Sequence, residues 1–358
     1  MANRPRCWAL LLAFAALTGL VGCGYGSFEW NYVYSAVGGE FCLLASTVPI
    51  EDALNDPALT DEQKEKLRLV IDVRDYAAGV IGLNVGGSYR TFANLHGEPL
   101  AWNLSASQKD RIEAYNWNLP FVGLIPYLGF FSIDDAYRER DRLVAEGYDT
   151  LIYELDAYST VGILPDPLNS ALLDRPAYSL IDTVFHELTH NTIYTGRDAV
   201  FDESLATFVG GTASMEYMVE RYGPDGETTV AARENSEDSE LFNAFLVDLR
   251  TELEAVYVRD ISRDEKIAAR EPIFDAARQR MADEILPQMH DPTPYESYAT
   301  FNFNNAFLLV NVRYHTEPDL FLDIYERTGR DWARALDVFR QAAGAPDPFA
   351  FLRGWLAE

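Results

Sequence analysis

The sequence predicts an α+β fold that is predominantly helical with a small β-sheet, and three observations carry this. Apolar residues recur at helical spacing in long windows, beginning with Leu67, Val70, Ile71 and Tyr76. Short runs, residues 150–157 the clearest, have the partly alternating composition of strands instead. In the C-terminal third, Pro287, Pro292, Pro294, Gly329 and Gly344-Ala345-Pro346 punctuate one helical pattern after another. With 358 residues, 48% hydrophobic and 13% aromatic, the chain can bury a substantial core and is not disordered. Its 29 Lys+Arg against 56 Asp+Glu give a net charge of −27, which excludes nucleic acid or an anionic membrane surface as the main partner.

The N-terminus reads as an address. Arg4 and Arg6 precede an apolar run from Cys7 to Val21, short for a spanning helix and typical of a secretory signal. The run ends in Leu20-Val21-Gly22-Cys23, which resembles the lipobox of bacterial lipoproteins, in which the leader is removed and the cysteine acylated. On that resemblance residues 1–22 are a signal peptide, Cys23 the lipidation site and 23–40 a tether. Gly24, rather than Asp, points to the periplasmic face of the outer membrane of the cell envelope. The alternatives are an uncleaved anchor or a signal cut elsewhere. Cys7, Cys23 and Cys42 offer no disulfide framework, and Cys42 is expected to be a small buried hydrophobe.

Residues 41–131 read as an N-terminal α+β region. Thr60 should cap a helix reaching about Ile81, broken by the glycines of 82–87, with short strands at 88–92 and 100–104. Ser132-Ile133-Asp134-Asp135 resembles a capping box opening a charged helix that stops at Gly147. Residues 132–225 form the segment expected to carry chemistry, and 226–358 a helical C-terminal region. Within the latter, 227–240 is acidic enough to suggest an exposed loop.

The chemistry resides in Phe185-His186-Glu187-Leu188-Thr189-His190. Asp174 is a good N-cap for the enclosing helix, Pro176 suits its first turn, and Gly196 lies beyond its end. On a helix, His186 and His190 stand one turn apart and point the same way, the spacing at which two imidazoles grip one zinc ion. Glu187 lies beside them, positioned to take a proton from zinc-activated water. A hydrolytic zinc site wants a third protein ligand and one open position. Asp202 can cap a second helix, and a short loop around Gly196 would fold that helix back and bring Glu203 to the histidine pair. Glu216 and Glu220, further along, are substitutes for the same role. Asp182 and Thr207 lie one turn from ligands and are candidates to orient them.

These residues, with Asp202-Glu203-Ser204-Leu205-Ala206, resemble the gluzincin group of zinc metallopeptidases, whose third ligand is the Glu of an Asn-Glu-x-x-Ala type motif. More of the chain is similar to a bacterial family of zinc-dependent aminopeptidases, often lipoproteins. The matching stretches are Arg74-Asp75-Tyr76-Ala77, Ser88-Tyr89-Arg90, Trp102-Asn103, Gly147-Tyr148-Asp149, Ala157-Tyr158-Ser159-Thr160-Val161-Gly162 and Asn304-Asn305-Ala306. The resemblance implies a zincin-like core, a Zn2+ cofactor and a peptide substrate. It departs at Asp202, where Asn is usual.

What else the resemblance implies concerns substrate handling. Gluzincins bind the peptide backbone along an edge strand upstream of the motif, here Ala157, Tyr158, Ser159 and Gly162. A Tyr or His assists the oxyanion. Tyr314 is the first candidate, followed by Tyr158, His315 and His290. An aminopeptidase also needs an acid for the substrate's free amine, for which Glu154 or Asp156 could serve. The best-known Gly-x-Met-Glu-Asn motif for that task is missing, so exopeptidase action rests on the family alone. The competing readings are a zinc endopeptidase and an envelope binding or assembly lipoprotein that retains a zinc site.

Overall fold

In the computed structural model, which describes residues 28–119, 123–157, 160, 164–312 and 317–358, helices dominate and the strands are short. The chain begins with α1 (Phe28–Ala45), β1 (Val48–Pro49), the short α2 (Ile50–Ala53) and α3 (Asp61–Tyr76), which continues as a π-turn over Ala77–Ile81. Thr60 caps α3 through a capping box with Gln63, and Gly82, at φ 85°, closes the π-turn. Thus the first long helix has the extent its sequence predicts. The structure makes 28–45 a helix, so the second half of the expected tether is ordered secondary structure. Cys23 lies outside the described residues, and Cys42, on α1, is half-buried rather than buried.

Strands β2 (Thr91–Ala93), β3 (Ala101–Gln108), β4 (Trp117–Leu119), β5 (Gly123–Ile125) and β6 (Tyr127–Phe130) follow, then α4 (Ile133–Ala145), β7 (Tyr148–Leu155) and β8 (Leu168–Asn169). They make three small sheets, ordered β1-β2-β8, β6-β3-β7 and β4-β5. The longest pairing runs antiparallel from Ala101↔Leu155 to Gln108↔Tyr148, and leaves β7 at an edge. The strand expected at 88–92 shrinks to Thr91–Ala93. Arg74 explains why: its guanidinium donates to the carbonyls of Ser88 and Gly86, both at 2.9 Å, and Tyr89 is held at φ 58°, so 88–90 turns instead of extending. The capping box expected at Ser132 does not form. The helix begins there, but the Asp135 carboxylate pairs with Arg138 instead of turning back to the cap.

After the short α5 (Ser170–Leu173), the chain is helical almost throughout: α6 (Ala177–His190), α7 (Ala199–Tyr222), α8 (Glu227–Tyr257), α9 (Arg263–Arg280), α10 (Asn305–Val312), α11 (Pro318–Arg327), α12 (Trp332–Gly344) and α13 (Pro348–Ala357). The acidic stretch 227–240 is the start of α8, not a loop. Its charges face solvent while Thr229, Ala232 and Asp238 turn inward, and Asp238 accepts from the amides of His290 and Asp291 at 2.7 and 2.9 Å. Among the described residues, no helix is long and apolar enough to cross a membrane.

The largest core cluster takes Leu67 and Val70 from α3, Val184 and Phe185 from α6, Phe201 and Leu205 from α7, Phe321 from α11 and Phe339 from α12. It therefore grips α6 and α7 from both ends of the sequence. A second, aromatic cluster unites α8, α9 and α10, and a third packs α4 on the β6-β3-β7 sheet. The second cluster is tied to the sheet by an ion pair at the end of β7: Arg270 donates to Asp149 at 2.6 and 3.0 Å, and Asp149 also accepts from the amide of Asn305 at 3.1 Å. Both side chains are buried. Asp149→Ala, which leaves the buried guanidinium only the exposed Glu271 as counter-charge, is expected to cost at most about 3–5 kcal/mol, read by urea unfolding. Asp149→Leu combined with Arg270→Met, which removes both charges, should recover most of that loss.

Candidate metal centre

Helix α6 owes its position to one apolar stripe, Leu180, Ile181, Val184, Phe185 and Leu188, each fully buried. The stripe fixes the rotation of the helix, and His186 and His190 consequently share the adjoining face, with ring centroids 5.0 Å apart. Asp174 does not cap this helix. It ends the preceding short helix α5, and α6 starts after Pro176 without a side-chain cap.

Helix α7 returns after a loop over 191–198, with Gly196 at φ 67°. Its cap is Asp198, which accepts from the amide of Phe201 at 3.0 Å. Asp202, expected as the cap, instead lies within the first turn and reaches back. Its carboxylate accepts from the amide and the hydroxyl of Thr195, each at 2.8 Å. This bond pair closes the loop and sets the first turn of α7, and so the origin of Glu203. The two helices approach closely at Gly210, where a Cβ would stand 3.1 Å from Asp182 Oδ1 and 3.3 Å from His186 Cβ.

The outcome is a convergence. Glu203 Oε2 lies 3.4 Å from His186 Nε2 and 3.6 Å from His190 Nε2, and one ligand atom from each residue falls within 4.8 Å of the others. Zinc with bonds of about 2.0–2.2 Å separates tetrahedral ligand atoms by about 3.4 Å, so the donor set fits the ion in both chemistry and spacing. Glu216 and Glu220 are committed elsewhere: Glu216 accepts from Tyr325 and Trp332, each at 2.8 Å, and Glu220 from Tyr76 at 3.2 Å.

Electrostatics at the site also favour a cation. Burial lowers the His186 pKa, but the Glu203 hydrogen bond and the charges of Glu187, Glu203 and Asp182 outweigh it and raise it to about 9. Burial raises Glu203, yet the two imidazoles hold it well below the carboxylate range. Glu187 is raised, chiefly by burial. Asp182 is raised by burial too, with His186 and Arg175 opposing. Three carboxylates around two imidazoles leave an excess of negative charge that a dication would neutralise. Thr207 stands half-buried one turn beyond Glu203.

His186, Glu187, His190 and Glu203 open onto a cleft of about 600 Å³. Of the expected backbone-binding stretch, Ala157 lines this cleft, and so does Thr160, whose amide donates to Asp166 at 2.9 Å. Tyr158, Ser159 and Gly162 lie outside the described residues, as do Tyr314 and His315. His290 is away from the cleft, exposed and paired with Glu237 at 2.8 Å. Asp156 is occupied by Arg175 at 2.9 Å, and Glu154 is exposed on β7; neither lines the cleft.

Among the lining residues to which the sequence reading gave no role are Tyr194, Asn103 and Glu40. Tyr194 is half-exposed with its ring 6.4 Å from that of His190, and its pKa is raised by burial and by Asp202 and Glu203. It follows the end of α6, in the loop over 191–198, where helical spacing gives no signal. Asn103 stood in a matched stretch without a role, and nothing marked Glu40.

Asp202→Ala should destabilise the protein by about 1–3 kcal/mol, whereas Asp202→Asn, which can still accept from Thr195, should cost far less. Thermal unfolding of the two variants checks this.

No curated protein and no solved structure matches the chain. A family described as "putative aminopeptidase" matches residues 31–348. That span includes the sheet, both helices of the metal-competent triad and the C-terminal helices that support them, and the chain belongs to this aminopeptidase family.

Proposed function

We propose that the protein is a zinc-dependent aminopeptidase of gluzincin type, with a zincin-like core, in which His186, His190 and Glu203 hold the ion and Glu187 is the general base. The observation that carries the reading is the approach of one Glu203 oxygen to both Nε2 atoms, with a buried carboxylate, Glu187, beside them on an open cleft. A site that only stabilised the fold would have no use for that arrangement.

A bound zinc ion supplies Lewis-acid polarisation of the scissile carbonyl and makes water in the site more acidic. Glu187 takes the proton from the attacking water and returns it to the leaving amine, a double task for which a raised pKa is suited. Tyr194, which lines the cleft with its ring 6.4 Å from that of His190, is the described residue sited to donate a hydrogen bond from its hydroxyl to the developing oxyanion. The substrate backbone lies along Ala157 and Thr160, past the edge strand β7. Acylation at Cys23 would hold the enzyme at the cell envelope, a reading that rests on the leader sequence alone.

Purified protein is expected to contain one zinc per chain by elemental analysis, and Glu203→Ala to lose most of it. Glu187→Gln should keep the zinc and lower kcat/KM on a peptide library by about 10²–10⁴-fold. Cleavage that survives Glu187→Gln would refute the assignment, and no cleavage by wild type would favour a binding lipoprotein. Tyr194→Phe should lower kcat by about 10²–10³-fold with little change in KM.

A further inference from the structure

The cleft is built partly by α1, which supplies Val37, Glu40, Phe41 and Leu44 to its lining. That helix is seated firmly on the sheet. The Tyr32 hydroxyl donates to the Gly129 carbonyl at 3.0 Å, Tyr32 packs edge-on against Phe130, and Gly39 leaves no room for a Cβ against the Phe131 ring.

From the sheet, β3 contributes Asn103, only 5% exposed, to the same lining. Its Nδ2 donates to the Tyr153 hydroxyl at 2.8 Å, while its Oδ1 is buried with no hydrogen-bond partner. Gly129, the cross-strand neighbour, also lines the cleft, and a Cβ there would lie in van der Waals contact with that oxygen, at 3.7 Å. A buried, unsatisfied acceptor in a cleft wall costs stability unless a ligand donor completes it. The charge of the wall says which donor: its described residues include Glu40, Glu187 and Glu203 and neither Lys nor Arg. No Lys or Arg of the wall would meet a carboxylate ligand, whereas an ammonium group finds the Glu40 carboxylate.

We infer that Glu40 and Asn103 bind the free α-ammonium group of a peptide, so that the cleft takes the chain by its amino end. One N–H bonds the Glu40 carboxylate and another the Asn103 amide oxygen, a charge-assisted pair. Val37, Phe41 and Leu44 then face the first side chain, which selects for an apolar N-terminal residue. This rests on the hydrolytic reading for the purpose of the cleft, but binding can be measured without turnover.

The test uses the full-length, zinc-loaded Glu187→Gln protein and isothermal calorimetry. The probe is a dipeptide amide with an apolar first residue, either free or N-acetylated. The free form is expected to bind at least ten-fold more tightly than the acetylated one. Adding Glu40→Gln should erase most of that preference, Glu40→Asp should restore part of it, and Asn103→Leu should weaken the free form alone. Zinc content and melting temperature should stay unchanged on adding Glu40→Gln. Equal affinity for the two probes, or a preference that survives Glu40→Gln, would overturn the assignment. Zinc content and cleavage by wild type are scored separately, so an inactive or metal-free wild type removes the hydrolase reading while the amine preference is still decided by the same calorimetry on the protein as purified.

Discussion

One carboxylate oxygen must come within reach of two imidazole nitrogens on neighbouring turns of another helix, and much of the architecture answers to that demand. Two rigid rods can satisfy it only if they run close together, cross at the right height and are fixed in rotation. Gly210 allows the close approach, the Asp202–Thr195 bonds fix the height at which α7 begins, and the fully buried stripe around Phe185 fixes the rotation of α6. Buried charge raises the stakes. Glu187, Glu203 and Asp182 lie around the imidazoles in surroundings where burial disfavours ionised carboxylates. Such an assembly persists because the surrounding core over-determines it.

That core is assembled from distant parts of the chain. Helix α3 packs on one side of the hairpin, and α11 and α12, more than a hundred residues later, contribute Phe321 and Phe339 to the same cluster. Phe208 of α7 meets the rings of Phe321, Tyr325, Trp332 and Phe339, so the helix that carries Glu203 is held by aromatic packing a little over one turn beyond it. The sheet and α1 do a different job: they add little to the triad but shape the cleft, bringing Asn103, Gly129 and Ala101 opposite apolar residues of α1. Support of the metal-competent helices and the shaping of the cleft are thus assigned to different elements.

The division explains how much of the site was legible before any coordinates. His186, Glu187 and His190 declare themselves because their spacing is that of a single helix, and helical periodicity is written locally. Glu203 could be placed because a short loop leaves a following helix few ways to go but back. Cap assignments were less secure. Asp174, Asp202 and Ser132 are all residues that cap well in isolation, yet the first terminates another helix, the second ties down a loop, and the third lost its partner to Arg138. Small polar side chains have several local bonds to choose from, and neighbours absent from the sequence window decide among them. The acidic stretch 227–240 misled for a related reason: high charge matches an exposed loop as well as an exposed helix face, and only the inward-facing Thr229, Ala232 and Asp238 distinguish the two.

The sequence by itself therefore determined the helical character of the chain, the paired imidazoles with their adjacent carboxylate, and the return of an acid towards them, because each is encoded in the spacing of residues along one element or across one short loop. The tertiary structure alone decided what surrounds that centre. Glu40 and Asn103 are 63 residues apart by number, on elements with no shared periodicity, and they line one cleft because α1 lies against the sheet, where Gly39 leaves room for the Phe131 ring and Tyr32 bonds the Gly129 carbonyl. Contacts of that kind depend on which surfaces meet after folding, and no local pattern records them.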